Sequence, residues 1–396
     1  MSETDRRLPF DRPNPLDPPH AYAELRGSEP VARVTTPDGR RAWLVTSYEA
    51  AAAALADPRL GMTPSGTADP GNDTLFQDGD AHTRLRRLVA KAFTPRSVAA
   101  VRPRIEELAA AHVESFADAG PPADLVAGLA SPLSLAVIGE LLGVEVGERE
   151  RFSALAEAVG SVDFHALENE EQAAAAMQAW SDLTGYAAGL VAAKRGDLGD
   201  DLLSGLISVR DADDGRLGGD ELTAMATTLV VAGYQTSRNA LSVGVIRLLA
   251  EGRLAGLADA GADDVATAVE EVLRQEAGVI AEPFPRWAHA DFELDGVPIA
   301  KGDAVLVRLE AANRDPAHFP DPDRFLPKRR SASPHLSFGR GPHHCLGAAP
   351  ARIELGAALV CLARRLPGLR LETAVEDLAW VRGETDAGPT AVPVTW

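Results

Sequence analysis

A mainly α-helical fold carrying small β-sheets is the class that this 396-residue sequence predicts. Three observations lead to it. Stretches rich in Ala, Leu, Glu and Arg recur at helical period from about Ala42 onward, and Pro and Gly punctuate them. Short apolar runs flank turn sequences near the N-terminus and again in the last third. No internal repeat or low-complexity linker divides the chain, so residues 1–396 are expected to form one domain.

Taken in order, the first sheet signal lies at 31–35 and 42–45. These runs bracket Pro37-Asp38-Gly39, a turn sequence, and predict a β-hairpin. A long helix is predicted over 220–251, opened by Asp220 with Glu221 in its first turn, where acidic side chains favour the helix N-terminus. It is apolar on all sides, so it should cross the core of a large domain rather than lie on a surface. Gly233-Tyr234-Gln235-Thr236-Ser237 in its middle is poor helix-forming material, and an interruption is expected there. Further strands are predicted over 292–299, around the turn Asp295-Gly296, and over 304–309 after Lys301-Gly302. A helix follows over 348–365, and the last stretch of chain reads as extended.

The composition narrows the function classes. A formal charge of −19 disfavours nucleic acid and anionic lipid as partners. No apolar run approaches the roughly 18 residues of a membrane-spanning helix, and the first residues are charged and Pro-rich, so a cytoplasmic protein is expected. The two cysteines, Cys345 and Cys361, are not expected to form a disulfide in such a chain. Cys361 sits inside an apolar helical stretch and reads as a small core residue.

Cys345 reads differently. Residues 338–347 run Phe-Gly-Arg-Gly-Pro-His-His-Cys-Leu-Gly, immediately before the helix at 348. Glycines and a proline suit a tight turn with exposed backbone N–H groups, and the helix N-terminus behind the sulfur favours a thiolate, an environment for a metal-bound cysteine. His343 and His344 raise a zinc alternative, but no second Cys or His cluster stands at suitable spacing.

The segment resembles the haem-thiolate signature of the cytochrome P450 family, Phe-Gly-x-Gly-x-His-x-Cys-x-Gly, at Phe338, Gly339, Gly341, His343, Cys345 and Gly347. Other family-like segments follow in the expected order, so the resemblance covers nearly the whole chain. It implies the cytochrome P450 fold, a haem b bound through Cys345, and a long central helix over that haem. Thiolate ligation favours O–O bond cleavage, so the implied activity is a monooxygenase acting on a small organic substrate. His82 and Arg86, spaced to share a helix face, resemble the family's propionate-binding pair, as do Arg286 and His343. Glu271 and Arg274 resemble a structural Glu-x-x-Arg element, with Arg324 implied as its third member.

Ala232, Gly233 and Thr236 match the family's oxygen-binding segment, where a small residue lets the helix pass near the haem. Gln235 departs from the pattern, because it stands where an acid is usual and an amide cannot gather and pass protons. Water-relayed hydroxylation, oxidation assisted by the substrate's own groups, and peroxide-driven turnover all remain open. Thr228, Val231, Glu282 and Phe284 are implied to face the substrate, and a short small-residue stretch between Leu60 and His82 predicts an open distal mouth.

A carboxylate at Glu282 in an apolar pocket suggests an aromatic, indole or peptide-like secondary metabolite, oxidised by hydroxylation or by C–C or C–N coupling. Hydroxylation of a macrolide or terpene is the alternative, and a haem-thiolate sensor or carrier without turnover is a rival of another class. Electrons are expected from a ferredoxin and its reductase, with Arg340 offering a local cation.

Overall fold

A computed structural model describes residues 6–64, 74–160, 170–212, 218–280, 284–329, 334–382 and 387–396. The architecture is mostly helical with small sheets. The 32-residue helix Gly219–Ala250 is its axis, and Leu222, Met225, Val243, Val245, Ile246 and Leu248 along it are fully buried. Such all-round burial is what its all-round apolarity requires. Its start is held by Glu221, whose carboxylate accepts the Gly218 N–H at 2.6 Å.

The interruption expected at 233–237 is absent: the helix runs through without a break. Thr236 Oγ1 donates to the Ala232 carbonyl at 2.6 Å, a bond that stays within the helical framework. Neighbouring helices, among them Ser131–Leu141 and Glu170–Lys194, pack on this stretch, and that burial overrides weak propensity.

The helix Ala348–Arg365 has the predicted bounds and packs most extensively on Pro95–Ala119. Leu359, Leu362, Ala358 and Ala363 are completely buried there, while Cys361 is partly buried against the same core, as a small packing residue would be.

The predicted hairpin forms from Val31–Thr35 and Arg41–Val45, pairing Val31 with Val45 and Thr35 with Arg41, with Gly39 at φ 86° in its turn. Arg41–Val45 then pairs in parallel with Ala304–Val307, which pairs antiparallel with Arg286–Ala288 and so fixes Arg286 opposite Val305. Leu60–Gly61 closes this five-stranded sheet. The strand expected over 304–309 stops at Val307, and Leu309–Ala312 turns into a short helix. Phe292–Leu294 and Val297–Ile299 form the second predicted hairpin, and the C-terminal region is a set of short strands.

Candidate active site

Cys345 lies at the end of a tight turn whose geometry needs its glycines. Gly339 and Gly341 have φ of 72° and 74°, in the left-handed region. A Cβ on Gly341 would come within 2.7 Å of the Leu55 carbonyl oxygen. The Cys345 N–H donates to the Phe338 carbonyl at 2.8 Å, and the Arg352 guanidinium lies 4.4 Å from the Phe338 ring centroid. The segment is tied back to the core by Asn313, which accepts the Leu336 N–H at 2.7 Å and donates to Ser337 Oγ at 2.9 Å.

The side chain of Cys345 is accessible, yet burial pushes its thiol up. The N–H groups of Gly347 and Ala348, with Arg86 and Arg352, pull the other way without overcoming burial. The helix N-terminus therefore assists a thiolate but does not create one; a coordinating cation completes it.

Four nitrogen-bearing side chains form a cradle near this sulfur. His82 is 3% exposed and its Nε2 has no partner among the described residues, while its ring lies 4.1 Å from that of His343. Burial, aided by His343 and Arg86, pushes His82 down to about 4. Arg286 is buried and donates to the Phe284 carbonyl at 2.9 Å, and burial pushes it down to about 10. Arg86 donates to the His344 carbonyl, and burial lowers its pKa too, with Cys345 opposing. Basic groups that burial disfavours, one with an orphaned nitrogen, fit an anionic ligand. The donor set, a sulfur beside this cradle, fits haem: Cys345 would meet the iron, and His82, Arg86, Arg286 and His343 would meet the propionates.

On the central helix Ala232 is exposed and Thr236 is half-buried, although the helix is otherwise deeply packed. Spaced by one turn, they share a face of the helix. A Cβ on Gly233 would lie 2.9 Å from Ile138 Cδ1, so its smallness admits the close approach of the helix Ser131–Leu141. Gln235 and Val231 are half-buried, and Thr228 is buried with its hydroxyl donating to the Ala224 carbonyl at 2.8 Å. Phe284 is 43% exposed and meets Phe76 edge-to-face at 5.0 Å. Glu282 and residues 65–73 of the distal stretch lie outside the described residues.

The network around Glu271 departs from expectation in one member. Arg274 binds Glu271 through two nitrogens at 2.8 and 2.9 Å and also donates to the Asn313 and Pro322 carbonyls. The third member is Arg329, whose Nη2 stands 3.1 Å from Glu271, not Arg324. Arg324 points outward, with its side chain 72% exposed and 3.9 Å from Asp321. Phe325 buries in the core, so its predecessor faces solvent, and Arg329 returns five residues later to donate to the Arg324 carbonyl at 2.7 Å. Burial alone would raise the Glu271 carboxyl; Arg274, Arg329 and the Leu326 N–H outweigh it and hold it below the usual range.

One residue was missed altogether. Glu354, on the helix behind Cys345, is fully buried; Ser134 Oγ donates to it at 2.8 Å and Ser237, next to Thr236, bonds it too. Burial pushes this carboxyl up to about 7, against both serines. A lone Glu within the apolar run Ile353 to Leu355 and beyond was the available signal.

A mostly helical fold with a cysteine turn and a buried anion cradle defines a haem-thiolate protein. Comparison with known proteins agrees. The family described as Cytochrome P450 matches residues 265–367. The mycinamicin IV hydroxylase/epoxidase of Micromonospora griseorubida is 40% identical, covering 100% of both chains. The nocardicin C N-oxygenase of Nocardia uniformis subsp. tsuyamanensis is 39% identical over 100% of both. In structure, the LnmA cytochrome P450 hydroxylase from the leinamycin pathway of Streptomyces atroolivaceus superimposes with a TM-score of 0.86 at 38% identity, covering 99% of this chain and 100% of that one. The chain belongs to the cytochrome P450 family and is a haem monooxygenase acting on small molecules. Among the described residues, no helix is long and apolar enough to cross a membrane.

Proposed function

We propose that this enzyme binds haem b and inserts oxygen into a secondary metabolite, by hydroxylation or epoxidation, in the cytoplasm. Relatives named for mycinamicin IV and nocardicin C oxidation support a natural product as substrate, with the macrolide alternative favoured over an indole. Bound through Cys345, the haem supplies oxygen binding and O–O cleavage, which thiolate ligation favours.

The observation that carries the reaction type is Glu354. The coupling reading combined Glu282 in the pocket with Gln235 replacing an acid. Glu354 supplies one from another helix, hydrogen-bonded to the residue beside Thr236, and its carboxyl is held up to about 7. At neutral pH it therefore holds a proton about half the time and can exchange it through Ser237 Oγ. The Thr236 hydroxyl spends its hydrogen on Ala232, which leaves its lone pairs to accept from water. Gln235 is left to orient water. Exposed Arg340, on the cysteine loop, is a contact for an acidic ferredoxin, the proposed electron donor.

The absorption spectrum of the dithionite-reduced enzyme under carbon monoxide tests the central assignment. A far-red-shifted Soret band is expected, lost in Cys345→Ser and Cys345→His. A histidine-type band indifferent to those substitutions would overturn it.

A further inference from the structure

Asp78 stands immediately before the helix Gly79–Ala90, where an aspartate ordinarily caps, yet its side chain makes no capping bond. Its carboxylate is used elsewhere. One oxygen, Oδ2, accepts the Met62 N–H at 2.7 Å and the Thr63 N–H at 3.3 Å, with the Thr63 hydroxyl at 3.5 Å. The other, Oδ1, stands 3.2 Å from His343 Nε2. The position is built for it. A Cβ on Gly61 would fall 2.5 Å from Oδ2, and Thr63 is pinned on its other side by His289 Nε2, 2.9 Å from the Thr63 carbonyl oxygen.

Electrostatically the choice is costly. Asp78 acts on His82 and Arg286 as well as His343, so it is a negative charge inside a cradle assigned to the negative propionates. A serine would cap the helix without that repulsion. The same carboxylate is the one group that joins the end of the strand Leu60–Gly61 to His343, whose ring packs on His82 at 4.1 Å. His343 sits two residues before Cys345 on a short helical turn, and nothing else in the described hydrogen-bond set grips its ring.

We propose that Asp78 is a positioning residue that holds the His343 ring in its haem-propionate pose, anchored by the Met62 and Thr63 backbone. The inference rests on the haem reading above. Its repulsion of the propionates is offset by the alignment it gives their histidine donor.

The test uses the holoenzymes of wild type, Asp78→Asn, Asp78→Ser, Asp78→Glu and His343→Ala, with the rate of haem transfer to apomyoglobin and the reduction potential as readouts. Losing one aligned charge-assisted bond speeds haem release about tenfold. That rate is expected for Asp78→Asn and Asp78→Ser alike, with a more positive potential from the removed charge and partial recovery in Asp78→Glu. In the His343→Ala background, Asp78→Asn should not speed haem release further, since the favourable action of the carboxylate runs through that ring and only its repulsion of the propionates is left to remove. Wild-type haem retention in Asp78→Ser would mean that the Asp78 carboxylate does not hold His343 for the haem and would overturn the proposal. So would additive effects in the double variant. A wild type lacking the red-shifted carbonyl band would instead strike the haem assignment, which separates the two failures.

Discussion

Two groups of cations touch the segment that leads to Cys345, and they differ in what completes them. Around Glu271 the charges close on one another: Arg274 and Arg329 meet its carboxylate, and spare donors reach the carbonyls of Asn313, Pro322 and Arg324. Around the sulfur, His82 keeps an orphaned Nε2, Arg286 and Arg86 donate to main-chain carbonyls, and the one acid of the group, Asp78, is bound to His343. A closed network belongs to the fold. Buried basic groups short of anions wait for a ligand, because low-dielectric surroundings disfavour their charge until an anion arrives.

The largest effect should come from opening the closed network. Arg274→Ala leaves a buried carboxylate short of its main partner, and the expected loss is about 3–5 kcal/mol in denaturant unfolding of the holoenzyme. A loss below about 1 kcal/mol, the range of an exposed ion pair, would erase the distinction drawn above.

Glu354 is a third case, a buried acid with no cation at all, and it sharpens the contrast through pH. Its folded-state value of about 7 lies above the ordinary 4.5. Between those values the unfolded chain has released a proton that the folded chain still holds. Stability therefore falls as pH rises through that window and is level above it. Glu354→Gln removes this slope, so relative to wild type it should gain about 3 kcal/mol between pH 4 and pH 8. Parallel curves for the two proteins would show the carboxyl to be ordinary.

Arg286→Ala tests the open cradle from the other side. Haem release should quicken about 10- to 100-fold, the equivalent of one charge-assisted hydrogen bond. The apoprotein should be no less stable than wild type, since a poorly compensated buried cation is gone. An apoprotein destabilised as strongly as by Arg274→Ala would make Arg286 a structural residue. The smallest effect belongs to Arg324→Ala, expected within about 0.5 kcal/mol in unfolding, as for exposed pairs generally. Arg329→Ala should instead cost several-fold more in the same assay.

How far the sequence could be read follows from the range of the interactions involved. Both hairpins and the cysteine turn were legible because turn chemistry is local: Gly39, Gly296, Gly339 and Gly341 all adopt the positive φ that their neighbours demand. The helix Ala348–Arg365 was legible to its ends for the same reason. Sequence reasoning failed at the expected break in the central helix, which packing suppressed, and it gave no sign that Gly233 meets Ile138 from a distant helix. It failed again at Arg324 and Arg329, because choosing between two nearby arginines depends on which residue between them buries.

By itself, the sequence determined the helical class, the turn that carries Cys345 and the helix Ala348–Arg365 behind it, since each is written in short-range spacing. Only the tertiary structure decided which arginine completes Glu271 and that Glu354 is buried against Ser134 and Ser237. Those partners are far apart in the chain: Arg329 lies 58 residues from Glu271, and Ser134 lies 220 from Glu354. A contact of that kind exists only once the core has closed, because burial selects which distant polar groups must satisfy one another.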